Sequence, residues 1–148
     1  MLEIKRLGEE HIDEVCALEE RCFSVPWSRE SFMWAKDDEN SYFTVALNEG
    51  RVVGYAGLRF FAPEGDIANV AAAPEHRRRG VASALVEDII DFAKKRGITS
   101  LMLEVRASNA GAVSLYEKFG FVKVATRKNY YSMPTEDADI MRLEIQKC

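Results

Sequence analysis

The sequence predicts an α/β fold, a mixed sheet covered by helices. Three observations carry that expectation. Short runs of period-two apolar alternation recur along the chain, as in Leu2 to Leu7 and Leu101 to Arg106. One long stripe, Ala82, Leu85, Val86, Ile89, Ile90 and Ala93, repeats at three-and-four spacing and marks an amphipathic helix. Gly97 and Gly120 stand just past helical patterns, where a left-handed residue ends a helix.

The elements follow in order. Leu2 to Leu7 reads as a strand, and the next segment sets Ile12, Val15, Cys16 and Cys22 along one helical face. Pro26 interrupts it, Ser28 caps a second helix through Ala35, and residues 37–40 form a polar loop. Tyr42 to Leu47 and Val52 to Phe60 flank a hairpin turn at Asn48-Glu49-Gly50. Asp66 to Ala72 is a further strand, and the long helix starts near Arg78. A strand from Thr99 to Arg106, a helix from about Asn109 to Phe119, and two strands near 121–127 and 139–145 complete the chain. No linker, repeat or low-complexity stretch divides it, so residues 1–148 are expected to fold as one domain with a core of its own.

Composition narrows the function classes. An apolar fraction of 47% and a charged fraction of 30% are those of an ordinary globular protein. A net charge of -4 speaks against a general nucleic-acid binder, although a local basic turn can still meet a local anion. Three cysteines, Cys16, Cys22 and Cys148, form no CxxC pair, and an odd count fits a reducing compartment. His11 and His76 stand far apart, so no metal is expected. The first residues lack an apolar run of signal-peptide length and no segment is long enough to span a bilayer, so a cytoplasmic location is expected. Cys16 and Cys22 are expected to be structural and away from the site.

The chemistry concentrates between Asp66 and Phe121. Arg77-Arg78-Arg79-Gly80-Val81-Ala82 follows a strand and opens a helix, where free backbone amides can hold phosphates. It contains neither GxGxxG nor GxxxxGK[ST], so neither a dinucleotide nor a nucleoside triphosphate is indicated. Read alone, such a cluster is more often a solvated basic loop. Glu104 falls on the strand face opposite Leu101, Leu103 and Val105, which makes it either a functional carboxylate or a residue on a wet face. Tyr116 sits near Val113 and Phe119, as a core aromatic would, and Asn109 serves equally as an N-cap.

Taken together these residues resemble a known family. Asn69 to Ala82 is similar to the acetyl-CoA-binding motif of the GNAT superfamily of N-acetyltransferases, with signature (Gln/Arg)-x-x-Gly-x-(Gly/Ala). Pro26-Trp27-Ser28, Leu103 to Asn109 running on through Leu115-Tyr116-Glu117, and Arg127-Lys128-Asn129-Tyr130-Tyr131 resemble the ribosomal-protein-alanine N-acetyltransferases, the RimI group, over nearly the whole chain. The resemblance implies the GNAT fold: a mixed, mostly antiparallel sheet of about six to seven strands flanked by four helices. It implies acetyl-CoA as co-substrate and, as substrate, the N-terminal alanine of ribosomal small-subunit protein eighteen, with no direct nucleic-acid or membrane partner.

Site roles carry over by position. Val70, Ala71 and Ala72 match the strand that takes the pantetheine arm and acetyl carbonyl, Arg78, Arg79, Gly80, Val81, Ala82 and Ser83 match the pyrophosphate loop, and Asn109 matches a CoA-contacting asparagine. Glu104 matches the general base and Tyr116 the general acid. Trp27, Tyr130 and Tyr131 lie where the family grips its peptide, though ordinary packing accounts for them equally well. Two departures are visible: Ala82 stands where many relatives have glycine, and Ala72 is smaller than the valine often found there. Two alternatives remain open, an acetyltransferase for other protein N-termini, lysines or small amines, and a non-catalytic acyl-CoA-binding module. The sequence leaves the oligomeric state open.

Overall fold

The structure is a computed structural model that describes residues 2–77 and 79–145. Its centre is one seven-stranded sheet: β1 (Leu2–Arg6), β2 (Ser41–Asn48), β3 (Arg51–Phe61), β4 (Glu64–Ala72), β5 (Ser100–Arg106), β6 (Val122–Tyr131) and β7 (Glu136–Glu144). The strands lie in the order β1-β2-β3-β4-β5-β7-β6, and every neighbouring pair is antiparallel except β4 and β5. Four helices cover it: α1 (Ile12–Cys22), α2 (Arg29–Ala35), α3 (Val81–Lys95) and α4 (Ala110–Lys118). The expected mixed, mostly antiparallel sheet flanked by four helices is therefore what the chain forms.

The local causes are visible in the residues. Ser28 caps α2 by accepting from the Ser31 N–H. Glu49 and Gly50, both at positive φ (52° and 79°), make the tight β2–β3 turn whose twist suits a hairpin. Gly97 closes α3 at φ 72°. Two apolar clusters form. One packs α1 and α2 through Ile12, Val15, Leu18 and Phe32 against Phe43, Val45 and Tyr55. The other packs α3 through Val81, Leu85, Val86 and Ile89 against Ala56, Leu58 and Leu101.

Several boundaries differ from the sequence expectation. The long helix starts at Val81 rather than near Arg78, because Gly80 adopts a left-handed conformation at φ 79° that no helical residue can hold. Asn109 lies outside α4 as its cap, and Phe119 is the cap at the other end. β6 runs on to Tyr131, so Tyr130 and Tyr131 belong to a strand, not a loop. Asn129 at φ 54° absorbs a register shift between Arg127 and Tyr131 that the apolar pattern does not record. Among the described residues no helix is long and apolar enough to cross a membrane.

Candidate functional site

The site begins where the sheet divides. β4 and β5 pair only over Glu64–Ser100, Gly65–Leu101 and Asp66–Met102. Beyond Asp66 and Met102 the two strands separate, and a cavity of about 580 Å³ opens between Ile67–Val70 and Leu103–Arg106. A second cavity, of about 550 Å³, lies between the end of β4, the start of α3 and α4. Cys22, Phe23, Val70, Asn109, Ala112 and Tyr116 line both, so the two spaces meet there.

The separation leaves main-chain groups without a strand partner. The Ala73 N–H donates to the Val53 carbonyl at 2.8 Å, which turns residue 73 toward β3. By strand alternation Val70 and Ala72 turn their N–H and C=O groups the other way, into the gap. One of these, the Ala72 carbonyl, accepts from Cys22 Sγ at 3.6 Å.

The second cavity has the features of an anion cradle. Val81, Ala82 and Ser83 line it at the first turn of α3, where N–H groups have no intrahelical acceptor and the helix dipole is positive. A Cβ placed on Gly80 would meet nothing within 4 Å, so the approach to the main chain is open. Arg77 and His76 also line it, and His76 Nδ1 is buried without a hydrogen-bond partner. The loop is braced from behind: Arg21 of α1 pairs with Glu75, and that guanidinium lowers the Glu75 carboxyl to about 2.

The first cavity carries the groups suited to acid–base work. Glu104 is exposed into it, while Leu101, Leu103 and Val105 point into the core, as the alternation predicts. Tyr116 is 7% exposed, its ring edge-to-face with Phe121 at 5.6 Å, and it lines both cavities. Burial, with a smaller contribution from Tyr131, pushes its phenol far above the ordinary range. It therefore stays protonated at neutral pH, the state a proton donor requires. Tyr131 is raised to about 12 by burial and by the neighbouring charges of Tyr130 and Glu104. The guanidinium of Arg106 lies 4.5 Å over the Tyr131 ring and binds the Ser132 and Pro134 carbonyls at 3.0 Å each, which holds the β6–β7 turn beside the cavity.

The remaining expected residues distribute as follows. Val70, Ala71, Ala72, Gly80, Val81, Ala82 and Ser83 line the second cavity, and Asn109 lines both while its Oδ1 accepts from the Ala112 N–H at 3.1 Å. Arg79 is exposed and lines neither cavity; Arg77 stands there instead. Arg78 lies outside the described residues. Trp27, Tyr130 and Tyr131 all line the first cavity, with the Trp27 ring also packed against Phe32 and Phe43 at 5.5 and 5.6 Å.

Cys22 corrects an expectation. Placed away from the site by the sequence, it stands where both cavities meet, because α1 ends beside β4. Burial pushes its thiol up, against the opposing pull of Arg77, so it is a poor nucleophile at neutral pH. Glu19 and Asn69 also line the first cavity unforeseen. Glu19 had a visible signal: it follows Val15 by four residues and Ile12 by seven, a carboxylate on an apolar stripe.

The acetyltransferase (GNAT) family matches residues 12–121, which span both walls of the gap. The chain belongs to the acetyltransferase (GNAT) family. Among its GNAT relatives, the ribosomal protein bS18-alanine N-acetyltransferase of Escherichia coli is 39% identical over 132 residues, covering 86% of this chain and 87% of the relative. The enzyme of the same name from Haemophilus ducreyi is 31% identical over 144 residues, covering 95% and 98%. The crystal structure of the E. coli ribosomal-protein-alanine N-acetyltransferase superimposes with a TM-score of 0.92 at 35% identity, covering all of this chain and 96% of that one. Ard1 from Thermoplasma volcanium superimposes with a TM-score of 0.90 at 26% identity. As a GNAT protein the chain is an acyltransferase, and its similarity to the RimI group extends along almost its whole length.

Proposed function

We propose that this GNAT protein is an N-terminal protein acetyltransferase that moves acetyl from acetyl-CoA to the α-amine of the N-terminal alanine of ribosomal protein bS18, as its named relatives do. The observation that carries this reading is the junction of two cavities at Tyr116, one with an anion cradle and the other with a carboxylate and aromatic walls. We read residues 1–148 as one acetyltransferase domain, working in the cytoplasm, where the ribosomal substrate is made.

The residues fit an acetyl-CoA co-substrate. The free amides of Val81, Ala82 and Ser83, with Gly80 and Arg77, would hold its pyrophosphate, and Val70 to Ala72 and Asn109 would line its pantetheine arm. When bound, acetyl-CoA supplies an activated acetyl thioester. Glu104, directly or through one water, accepts the proton that the amine sheds. The main-chain N–H of Val70, a residue that lines both cavities, donates to the acetyl oxygen as charge develops on it, and that of Ala72 is left for the pantetheine arm. Tyr116 O–H gives its proton to the departing sulfur. No acyl-enzyme is required.

The amine chemistry favours an α-amine. A peptide terminus with reference pKa near 8 is roughly a tenth neutral at pH 7, whereas a lysine near 10.4 is less than about a thousandth neutral. One carboxylate meets the first requirement more easily than the second. The test is to incubate the protein with acetyl-CoA and short peptides that carry the bS18 terminus, with the α-amine free or blocked, and to locate the acetyl group by mass spectrometry. Acetylation of the free terminal alanine supports the proposal. Transfer that survives blocking and requires an internal lysine overturns it.

A further inference from the structure

The chemistry above uses no part of a polar chain that enters the first cavity from the core. Glu19 of α1 and Tyr55 of β3 are each 1% exposed. Glu19 Oε2 accepts the main-chain N–H of Trp27 at 2.9 Å, and Oε1 accepts the Tyr55 hydroxyl. The Tyr55 oxygen in turn accepts from Asn69 Nδ2 at 3.0 Å. Among the described residues Glu19 has no ion-pair partner. Burial raises its carboxyl, and the hydrogen bonds from Tyr55 and Trp27 oppose that rise. A carboxyl in the α1 stripe gives up the packing an apolar residue would have, a loss its hydrogen bonds must offset.

With Glu19 as a carboxylate, which only accepts, donor and acceptor chemistry sets one direction along the chain. A backbone N–H can only donate, so Trp27 demands an acceptor at Oε2. Oε1 then takes the Tyr55 proton, which leaves the phenol oxygen to select the NH₂ end of the Asn69 carboxamide. Asn69 Oδ1 is thereby turned away from Tyr55. Asn69 lines the first cavity on β4, past the point where β5 has separated and one residue before Val70. The same Glu19 carboxyl anchors the main chain of Trp27, which lines that cavity too.

We propose that Glu19, Tyr55 and Asn69 form a positioning relay that holds the Asn69 carboxamide oxygen toward the acceptor, where it takes a hydrogen bond from an N–H of the peptide's first residue. The inference rests on the N-terminal acetyltransferase reading and adds a specificity element to it. Glu19→Gln keeps the shape and reverses the polarity. Its carbonyl must stay with the Trp27 N–H, its NH₂ then faces Tyr55, and Tyr55 must donate to Asn69, which turns its carboxamide round.

Steady-state kinetics of Glu19→Gln, Tyr55→Phe and Asn69→Ala test this. In each variant KM for the alanine peptide rises about five- to tenfold, the worth of one hydrogen bond, while KM for acetyl-CoA stays within about twofold. The double variant Tyr55→Phe with Asn69→Ala is no worse than either single one. If Glu19→Gln fails to fold, the other two carry the comparison. An unchanged peptide KM in Tyr55→Phe and Asn69→Ala, or an equal rise for both substrates, overturns the relay. If the wild-type protein leaves alanine peptides untouched, the N-terminal reading fails, and the Asn69 side-chain amide resonance decides the relay by itself. A resonance that moves in Tyr55→Phe supports the relay's geometry, and one that stays in place removes it.

Discussion

At positions 104 and 116 a carboxylate and a phenol occupy opposite surroundings. Glu104 is exposed at the cavity and Tyr116 is almost wholly buried at the junction of both cavities. Burial keeps the Tyr116 phenol protonated at neutral pH. Glu104→Gln is expected to lower kcat for the alanine peptide by about 10²- to 10⁴-fold with little change in KM for acetyl-CoA, read by steady-state kinetics. Tyr116→Phe is expected to lower kcat in the same direction without unfolding, because the Phe121 contact needs the ring and not the hydroxyl. Glu104 was legible in the sequence because alternation in a short strand assigns faces without knowledge of neighbours. Tyr55 and Asn69 were not, because they lie fourteen residues apart and meet only through the β3–β4 register. Cys22 was misjudged because where a helix ends is set by what it packs against.

Among the elements, α3 has the clearest sequence pattern and a closely fitted seat. A Cβ on Gly54 of β3 would lie 2.6 Å from Val81 Cγ1 and 2.7 Å from the Ala71 carbonyl oxygen. Gly54→Ala therefore forces either the first turn of α3 or the end of β4 to move. A destabilisation of about 1–3 kcal/mol is expected by chemical denaturation. Weaker acetyl-CoA binding is expected in calorimetry, since both displaced elements line the second cavity. The apolar stripe of α3 was readable, but its start was not. A stripe records which face is buried, whereas the first helical residue depends on Gly80 turning left-handed. In the same way β6 runs past its apolar residues to Tyr131, since it is an edge strand paired with β7 alone and exposed along nearly its whole length.

At the scale of the whole molecule, tyrosines tie stability to pH. Burial, aided by the hydrogen bond to Asp88, raises Tyr42 to about 12, burial foremost raises Tyr131 to about 12, and burial foremost raises Tyr55 and Tyr116 further. An unfolded tyrosine titrates near 10, so between about pH 10 and pH 12 the unfolded chain releases protons that the folded chain keeps. The stabilisation is complete below about pH 10 and is lost as pH rises. Chemical denaturation at a series of pH values is expected to show stability falling across that window, as Tyr42, Tyr55, Tyr116 and Tyr131 ionise more easily in the unfolded chain. The α/β class and the number of strands and helices could be read from the pattern of elements. The division of the sheet could not, because it depends on how far β4 and β5 stay in register, and no residue in either strand encodes that distance by itself.

That division has a consequence for amide protons. Three residue pairs join β1–β4 to β5–β7, and beyond them β4 has neighbours on one side only. Its Val70 and Ala72 N–H groups are therefore expected to trade deuterium quickly, as though they lay at the rim of the sheet, while Ala71 and Ala73 resist. A bound acyl carrier would complete the ladder at those two positions. Slower deuterium uptake at Val70 and Ala72 would then report occupancy directly, in a protein that has performed no turnover.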